Sequence, residues 1–219
     1  MTQDQNPQTP RHRIVVLNGG MRVPSTTRML ADRLADATVA AVAEQGGEAS
    51  VQVIDLRTHA HALADTMLTG FSSGELAEDL AAVAGADGLI AVSPTFSASY
   101  SGMFKTFVDV IEPGTLNGKP VLVGATGGSE RHSLMLDHAL RPLFSYLGAD
   151  PVRTGVFAAT ADFGSGEGGA ITERIARAGS ELASRLAGRP SQARRPADAF
   201  GEQSVPVEEM LARVTRPAG

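Results

Sequence analysis

Arg13-Ile-Val-Val-Leu-Asn-Gly-Gly-Met-Arg-Val-Pro-Ser-Thr-Thr-Arg-Met-Leu30 is the stretch that decides the fold of this chain. Ile14 to Leu17 is an unbroken apolar run without alternation, which suits a strand covered by helices on both faces. Asn18-Gly19-Gly20 follows at once, where the chain turns without a Cβ penalty. Ser25 then stands at an N-cap position, ahead of Met29, Leu30, Leu34, Ala37 and Ala41 at helical spacing. A strand, a small-residue loop and a hydroxyl-rich helix start build a phosphate site. Free N–H groups and the positive helix end face the loop, Ser25, Thr26 and Thr27 offer hydroxyls, and Arg22 offers a cation.

Any strand-to-helix turn needs glycine and a Ser or Thr cap, so the glycines alone mean little. Arg22 and three consecutive hydroxyls tip the balance toward phosphate. A dinucleotide fingerprint is excluded, because Gly19-Gly20 lacks its third glycine. A Walker loop is excluded too, because the basic residue before Ser25 is Arg22, three positions early.

A chain of 219 residues is long enough for one domain with a sizeable core. Its 42% hydrophobic and 20% charged shares are ordinary for a globular protein. The net charge of −5 gives no footprint for nucleic acid. With no cysteine, disulfides, thiolate metal sites and thiol catalysis are excluded. Met1 to His12 is polar and Pro-rich rather than a signal peptide, and no apolar run approaches membrane-spanning length. The expectation is therefore a cytoplasmic protein with no membrane association.

Working outward, residues 1–12 read as a disordered leader. Gly46-Gly47 stops the first helix, and residues 51–56 form a partly alternating strand near the sheet edge. Residues 57–72 show neither helical nor strand period, and His59 and His61 read as loop residues, not metal ligands. A helix over 73–84, a strand over 89–92, and a helix with Phe104, Phe107, Val108 and Ile111 on one face come next. A strand over 120–124 is followed by a helix carrying Leu136, Leu140, Leu143, Phe144 and Leu147, despite Pro142 in its middle. Val152 to Ala158 reads as the fifth strand, and a Gly-rich loop from Phe163 to Gly169 leads to a last helix. Residues 13–187 thus read as one domain, and 188–219 as a linker with a short amphipathic helix over Val207–Val214.

Five strands alternating with five helices give an α/β fold, a parallel doubly wound sheet in the order 2-1-3-4-5. Three strand-to-helix loops are rich in Gly, Pro and hydroxyl residues: 18–27, 94–102 and 125–132. In that order they meet at the switch point between strands 1 and 3, where ligands bind. The residues alone predict a phosphorylated ligand in this crevice.

Three motifs together resemble the NADPH-dependent FMN reductase family, which is flavodoxin-like. They are Gly19-Gly20-Met21-Arg22-Val-Pro-Ser25-Thr-Thr27, Pro94-Thr-Phe96-Ser-Ala-Ser-Tyr100-Ser-Gly102-Met-Phe-Lys105, and Thr126-Gly127-Gly128 with His132 and Ala139-Leu140-Arg141-Pro142. Gly20 replaces the family's usual serine, and Phe96 stands where Tyr is frequent. The similarity is greatest to reductases that supply reduced flavin to two-component monooxygenases. It implies an NAD(P)H:FMN oxidoreductase with the FMN phosphate on Gly20, Arg22, Ser25, Thr26 and Thr27. The flavin ring would lie between Pro94, Thr95, Phe96 and Ser97 and the Thr126-Gly127-Gly128 backbone, with His132 nearby. The resemblance also implies NADPH or NADH as donor, a flavin-dependent monooxygenase as partner, and a homodimer or homotetramer. No catalytic side chain is expected, since hydride transfer to a flavin demands no protein acid or base.

Two readings stay open for Arg131 and His132: contacts to nucleotide phosphate or flavin edge, or a solvated helix start. Lys105 reads as a surface ion pair and Tyr100 as a packing residue. A flavodoxin-type electron carrier is the competing function, though such carriers are more acidic than −5 over 219 residues. A quinone, azo or metal-ion reductase uses the same scaffold. Pro142 raises one more question, because it has no N–H to serve the His138 carbonyl. The local solution is either a π-bulge or a proline kink. In the reductases this chain resembles, the corresponding helix carries a bulge with an inserted Tyr or His at a subunit interface, and His138 falls on that position.

Overall fold

The apolar run of residues 14–17 lies in the middle of a parallel sheet. The computed structural model describes residues 9–163 and 169–188. Strand β1 (Arg11–Asn18) is flanked by β2 (Glu48–Asp55) and β3 (Gly88–Phe96), and β5 (Pro120–Gly127) lies beyond β3. The far edge is shared by β6 (Asp150–Pro151) and β7 (Val156–Ala159), both parallel to β5. This is the expected order 2-1-3-4-5, with the fifth strand in two pieces.

The period-two geometry of β1 divides the core. Ile14 and Val16 pack with Leu30 and Leu34 of α1 (Thr26–Glu44) and with Ile175 and Leu182 of α6 (Gly169–Ala187). Val15 and Leu17 pack on the other face with Leu63 of α2 (Ala60–Thr69), Leu76 and Val83 of α3 (Gly74–Gly85), and Phe104 and Phe107 of α4 (Gly102–Asp109). Phe144 of α5 (Arg141–Tyr146) closes that layer. Each of these fully buried Leu or Phe side chains contributes roughly 1.5–3 kcal/mol over exposure.

Several expectations are corrected. Strand β1 starts at Arg11, so Arg11 and His12 belong to the sheet and not to a leader. Residues 57–72 are not a loop: a 3-10 turn over Leu56–His59 runs into α2. That helix buries only Leu63 and Thr66, so its sequence carries no apolar stripe. His59 is buried and pairs through Nε2 with Asp79 Oδ2 at 2.7 Å, so it has a carboxylate partner after all. Met29 turns outward at 41% exposure and leaves the α1 core face to Leu30 and Leu34.

The break in the fifth strand follows from side chains that take the ladder's place. The Arg141 guanidinium donates to the Val152 and Arg153 carbonyls at 2.6 and 2.7 Å. Glu181 accepts the Thr154 N–H, and Arg174 Nε donates to the Gly155 carbonyl at 2.8 Å.

The helix after β5 contains the π-turn that Pro142 raised. Residues Leu136–Leu140 form one π-helical turn, and the Arg141 N–H donates to the Leu136 carbonyl five residues back. His138 is exposed at the centre of that turn. Among the described residues, no helix is long and apolar enough to cross a membrane, and no cluster of His, Asp and Glu is arranged to hold a metal. Residues 1–8, 164–168 of the Gly-rich loop, and the Val207–Val214 segment lie outside the described residues.

Candidate flavin site

The carboxyl ends of β1, β3 and β5 place the three loops side by side. Asn18 is the last residue of β1, and its Oδ1 accepts the Gly20 N–H at 3.1 Å. The Gly19 N–H donates to the Val92 carbonyl at 2.8 Å, which stitches the loop to β3. A Cβ on Gly19 would stand 3.0 Å from that carbonyl oxygen, so glycine fits this close approach without strain. A Cβ on Gly20 would collide with Ser25 Oγ. Gly20, where the family usually has serine, leaves the space that the Ser25 hydroxyl occupies here.

Ser25 caps α1 as its sequence position predicts: its backbone is extended, and its Oγ accepts the Arg28 N–H at 3.2 Å. The N–H groups of Thr26 and Thr27 precede the first intrahelical bond and stay available at the positive helix end. Arg22 is exposed on the loop, and no ion pair holds it among the described residues. Arg28, by contrast, is tied to Asp32 at 2.7 Å and to Asp55 at 3.4 Å. Hydrogen bonding to Asp32 holds the Arg28 guanidinium above its ordinary pKa, burial opposes this, and the charges of Asp32 and Asp55 add to the rise. Arg22 is thus the cation of this loop that remains open to an anion.

The stretch after β3 is a hairpin. Thr95 pairs with Tyr100, and Phe96 with Ser99, in the antiparallel two-residue strand β4 (Ser99–Tyr100). Ser97 and Ala98 make its turn with φ of 48° and 65°. A two-residue hairpin turn of this hand needs positive φ at both positions, and neither residue is glycine. The hairpin's base is closed by the Ser101 N–H donating to Ser93 Oγ at 3.0 Å, while Ser101 Oγ caps α4. Tyr100 packs on Phe104 with ring centroids 6.0 Å apart, and Lys105 pairs with Asp109, both as read from the sequence. Phe96 projects from the hairpin at 51% exposure.

Strand β5 brings the third loop. Its register sets Thr126 beside Pro94, and Thr126 Oγ1 meets Thr27 Oγ1 at 2.8 Å. A Cβ on Gly127 would press on Phe157 Cζ at 2.8 Å, with Thr95 Oγ1 at 3.6 Å. A side chain at Gly127 would therefore have to shift the Phe157 ring, whereas the side of Gly128 where a Cβ would project is open. Thr95 Oγ1 is the one buried side-chain oxygen or nitrogen without a hydrogen-bond partner among the described residues.

The structure therefore brings together Gly20, Ser25, Thr27, Thr95, Thr126 and Gly127. Thr26, Phe96, Ser97, Gly128 and His132 are exposed around them, and Pro94 is half-buried. Arg131 and His132 belong to an exposed 3-10 turn over Glu130–His132, and the His132 ring bonds no described residue. Asn18 and Asp55 were not singled out in the sequence, yet they bond each other at 2.5 Å beside the loop. The sole sequence signal for them was their place at the ends of adjacent strands. The residues present fit a flavin mononucleotide: an orphaned buried hydroxyl at Thr95, an open backbone edge at Gly128, an exposed ring at Phe96, and a capped helix start with a free arginine.

The sequence profile of the NADPH-dependent FMN reductase family matches residues 12–164. The chain belongs to that family. As an NADPH-dependent FMN reductase it is an NAD(P)H:FMN oxidoreductase that uses FMN with NADPH or NADH. It is similar to the FMN reductase (NADPH) of Pseudomonas aeruginosa, with 39% identity over 157 residues, covering 71% of this chain and 81% of the relative. The NADH-dependent FMN reductase SfnF of Pseudomonas putida is 36% identical over 151 residues, covering 69% of this chain and 79% of its own length. Among solved structures, an oxidoreductase from Corynebacterium diphtheriae superposes with a TM-score of 0.80 at 44% identity. That match covers 83% of this chain and all of the other.

Proposed function

We propose that this reductase binds FMN across the three loops and delivers it, reduced, to a flavin-dependent monooxygenase. The observation that carries the binding mode is the buried, unpartnered Thr95 hydroxyl beside the open Gly127-Gly128 backbone. A buried hydroxyl without a partner costs free energy, and a ring edge bonded there removes that cost. In this mode Arg22, the Ser25 and Thr26 hydroxyls and the N–H groups of Thr26 and Thr27 hold the phosphate, with the Gly20 backbone, held by Asn18, beside it. Pro94, Thr95, Phe96 and Ser97 line one side of the ring, Thr126, Gly127 and Gly128 the other, with His132 at its rim. FMN bound there supplies the ring system that accepts a hydride from the reduced nicotinamide. The chain's own groups orient and stack, and donors at the ring edge stabilise developing negative charge. No side chain is assigned as acid or base.

The likeness of the three loop motifs to reductases of two-component systems supports the monooxygenase as destination. The nicotinamides of NADPH and NADH are cytoplasmic currency, which supports a cytoplasmic location. We further propose a homodimer or homotetramer formed over the π-turn, supported by Leu134, two residues before it and 61% exposed, and by Tyr146, at the end of α5 and 89% exposed. Steady-state oxidation of NADPH and NADH, with FMN, FAD and a quinone as acceptors, tests the function. Sustained turnover on free FMN is expected. Turnover on the quinone alone, or a flavin that never exchanges, contradicts it.

A further inference from the structure

Strands β1 and β2 end side by side, because their parallel register pairs Asn18 with Asp55. The Asn18 amide spans two partners there. Its Nδ2 donates to Asp55 Oδ1 at 2.5 Å, and its Oδ1 accepts the Gly20 N–H at 3.1 Å. An amide has one donor end and one acceptor end, so the first bond decides the second. A carboxylate only accepts, which forces Nδ2 toward Asp55 and leaves Oδ1 for the loop. Asp55 is itself held by Arg28 Nη1 at 3.4 and 3.5 Å, and Arg28 Nε is bonded to Asp32 at 2.7 Å. The negative charge placed beside an anion loop is thereby offset by a cation on α1. Gly20 is the residue whose missing Cβ leaves space for Ser25 Oγ, with Asn18 Oδ1 at 3.1 Å from the same point. The three groups form one packed unit.

We propose that Asp55 is a positioning residue for the phosphate loop, acting through the Asn18 amide to fix the Gly20 backbone against Ser25. This rests on the reading that residues 20–27 hold the FMN phosphate. Asp55 itself does not touch the flavin in this arrangement. It sets the direction of one backbone N–H and the space in front of the Ser25 cap.

The test compares FMN with riboflavin, which has the same ring and no phosphate, by quenching of flavin fluorescence on the full chain. In Asp55→Ala, FMN affinity falls about tenfold, the size of one hydrogen bond lost from the loop, while riboflavin affinity is unchanged. Asp55→Asn keeps an acceptor for Asn18 and retains most of the preference for FMN. Asn18→Ala shows the same selective loss, and Asp55→Ala adds nothing further in that background. Asn18→Ala also serves if Asp55→Ala does not fold. Equal loss of FMN and riboflavin, or no loss of either, overturns the inference. Ser25→Ala separates the two levels. If it leaves the FMN-to-riboflavin ratio untouched, the phosphate-loop reading itself fails. If it lowers the ratio and neither Asp55→Ala nor Asn18→Ala does, the inference alone fails.

Discussion

The hydroxyl oxygens of Thr27 and Thr126 meet at 2.8 Å, joining the start of α1 to the carboxyl end of β5. Both residues are buried, at 3% and 4% exposure, so this bond replaces water for each. It holds the loop that leads into α1 and the loop that leaves β5 in one frame. Removing one partner strands the other: Thr27→Val and Thr126→Val each cost about 1–3 kcal/mol. The double variant Thr27→Val/Thr126→Val costs clearly less than the sum, because neither hydroxyl is then left alone. Urea unfolding of the four proteins measures this, and additive losses contradict it.

Two adjacent glycines separate ligand effects from packing effects. Gly128→Val meets open space in the protein, so its melting temperature stays close to wild type while FMN affinity drops. Gly127→Ala pushes a methyl group onto Phe157 and lowers the melting temperature, by about 2–4 °C for each kcal/mol lost. Thermal melts of the two apoproteins, set beside FMN titrations, check the contrast. A Gly128→Val protein with full FMN affinity removes the ring from that backbone.

Gly20→Ser restores the residue usual in the family and is expected to impair this protein. Its Cβ displaces Ser25 Oγ and so weakens the cap on α1, which is typically worth about 1 kcal/mol. FMN affinity and stability fall together. Improved binding in Gly20→Ser would show that the loop yields to the added side chain and that the missing hydroxyl was the limiting group.

Arg28 is held above its ordinary pKa, first by the hydrogen bond to Asp32. A raised pKa gives stability that is complete below the unfolded value and is lost only as pH rises through the folded one. Both lie well above neutrality, so the stability difference between wild type and Arg28→Ala stays flat from about pH 6 to 9. Denaturant midpoints across that range measure it. A step near neutrality assigns the difference to another group.

The π-turn predicts assembly. Wild type sediments as a dimer or tetramer, and His138→Ala, with and without FMN, shifts that equilibrium toward smaller species. A monomeric wild type contradicts the assembly proposed over this face.

Much of the site was legible because its signals are local. Ser25 declares itself as a cap three residues before the N–H it accepts, and Pro142 announces a defect because it lacks a donor. The sheet order followed from apolar runs whose spacing leaves room for crossover helices. What escaped depends on distant partners or weak pattern. The α2 helix buries two residues and shows Met67 and Leu68 to solvent, so no stripe marks it. The fifth strand breaks because Arg141, Arg174 and Glu181, from two later or earlier helices, claim its backbone groups. The hairpin after β3 turns on Ser97 and Ala98, residues that rarely take positive φ. Asp55 lies 37 residues from Asn18 and meets it only through strand register.

The loop from Gly20 to Thr27 is proposed to recognise the phosphate of the flavin that this reductase reduces. Steady-state kinetics of NADPH oxidation by wild type and Arg22→Ala, with FMN and with riboflavin as acceptor, tests it most directly. The loss of one charge-assisted contact raises the KM for FMN by about ten- to a hundredfold in Arg22→Ala and leaves that for riboflavin where it was. An unchanged KM for FMN, or equal rises for both acceptors, would contradict it.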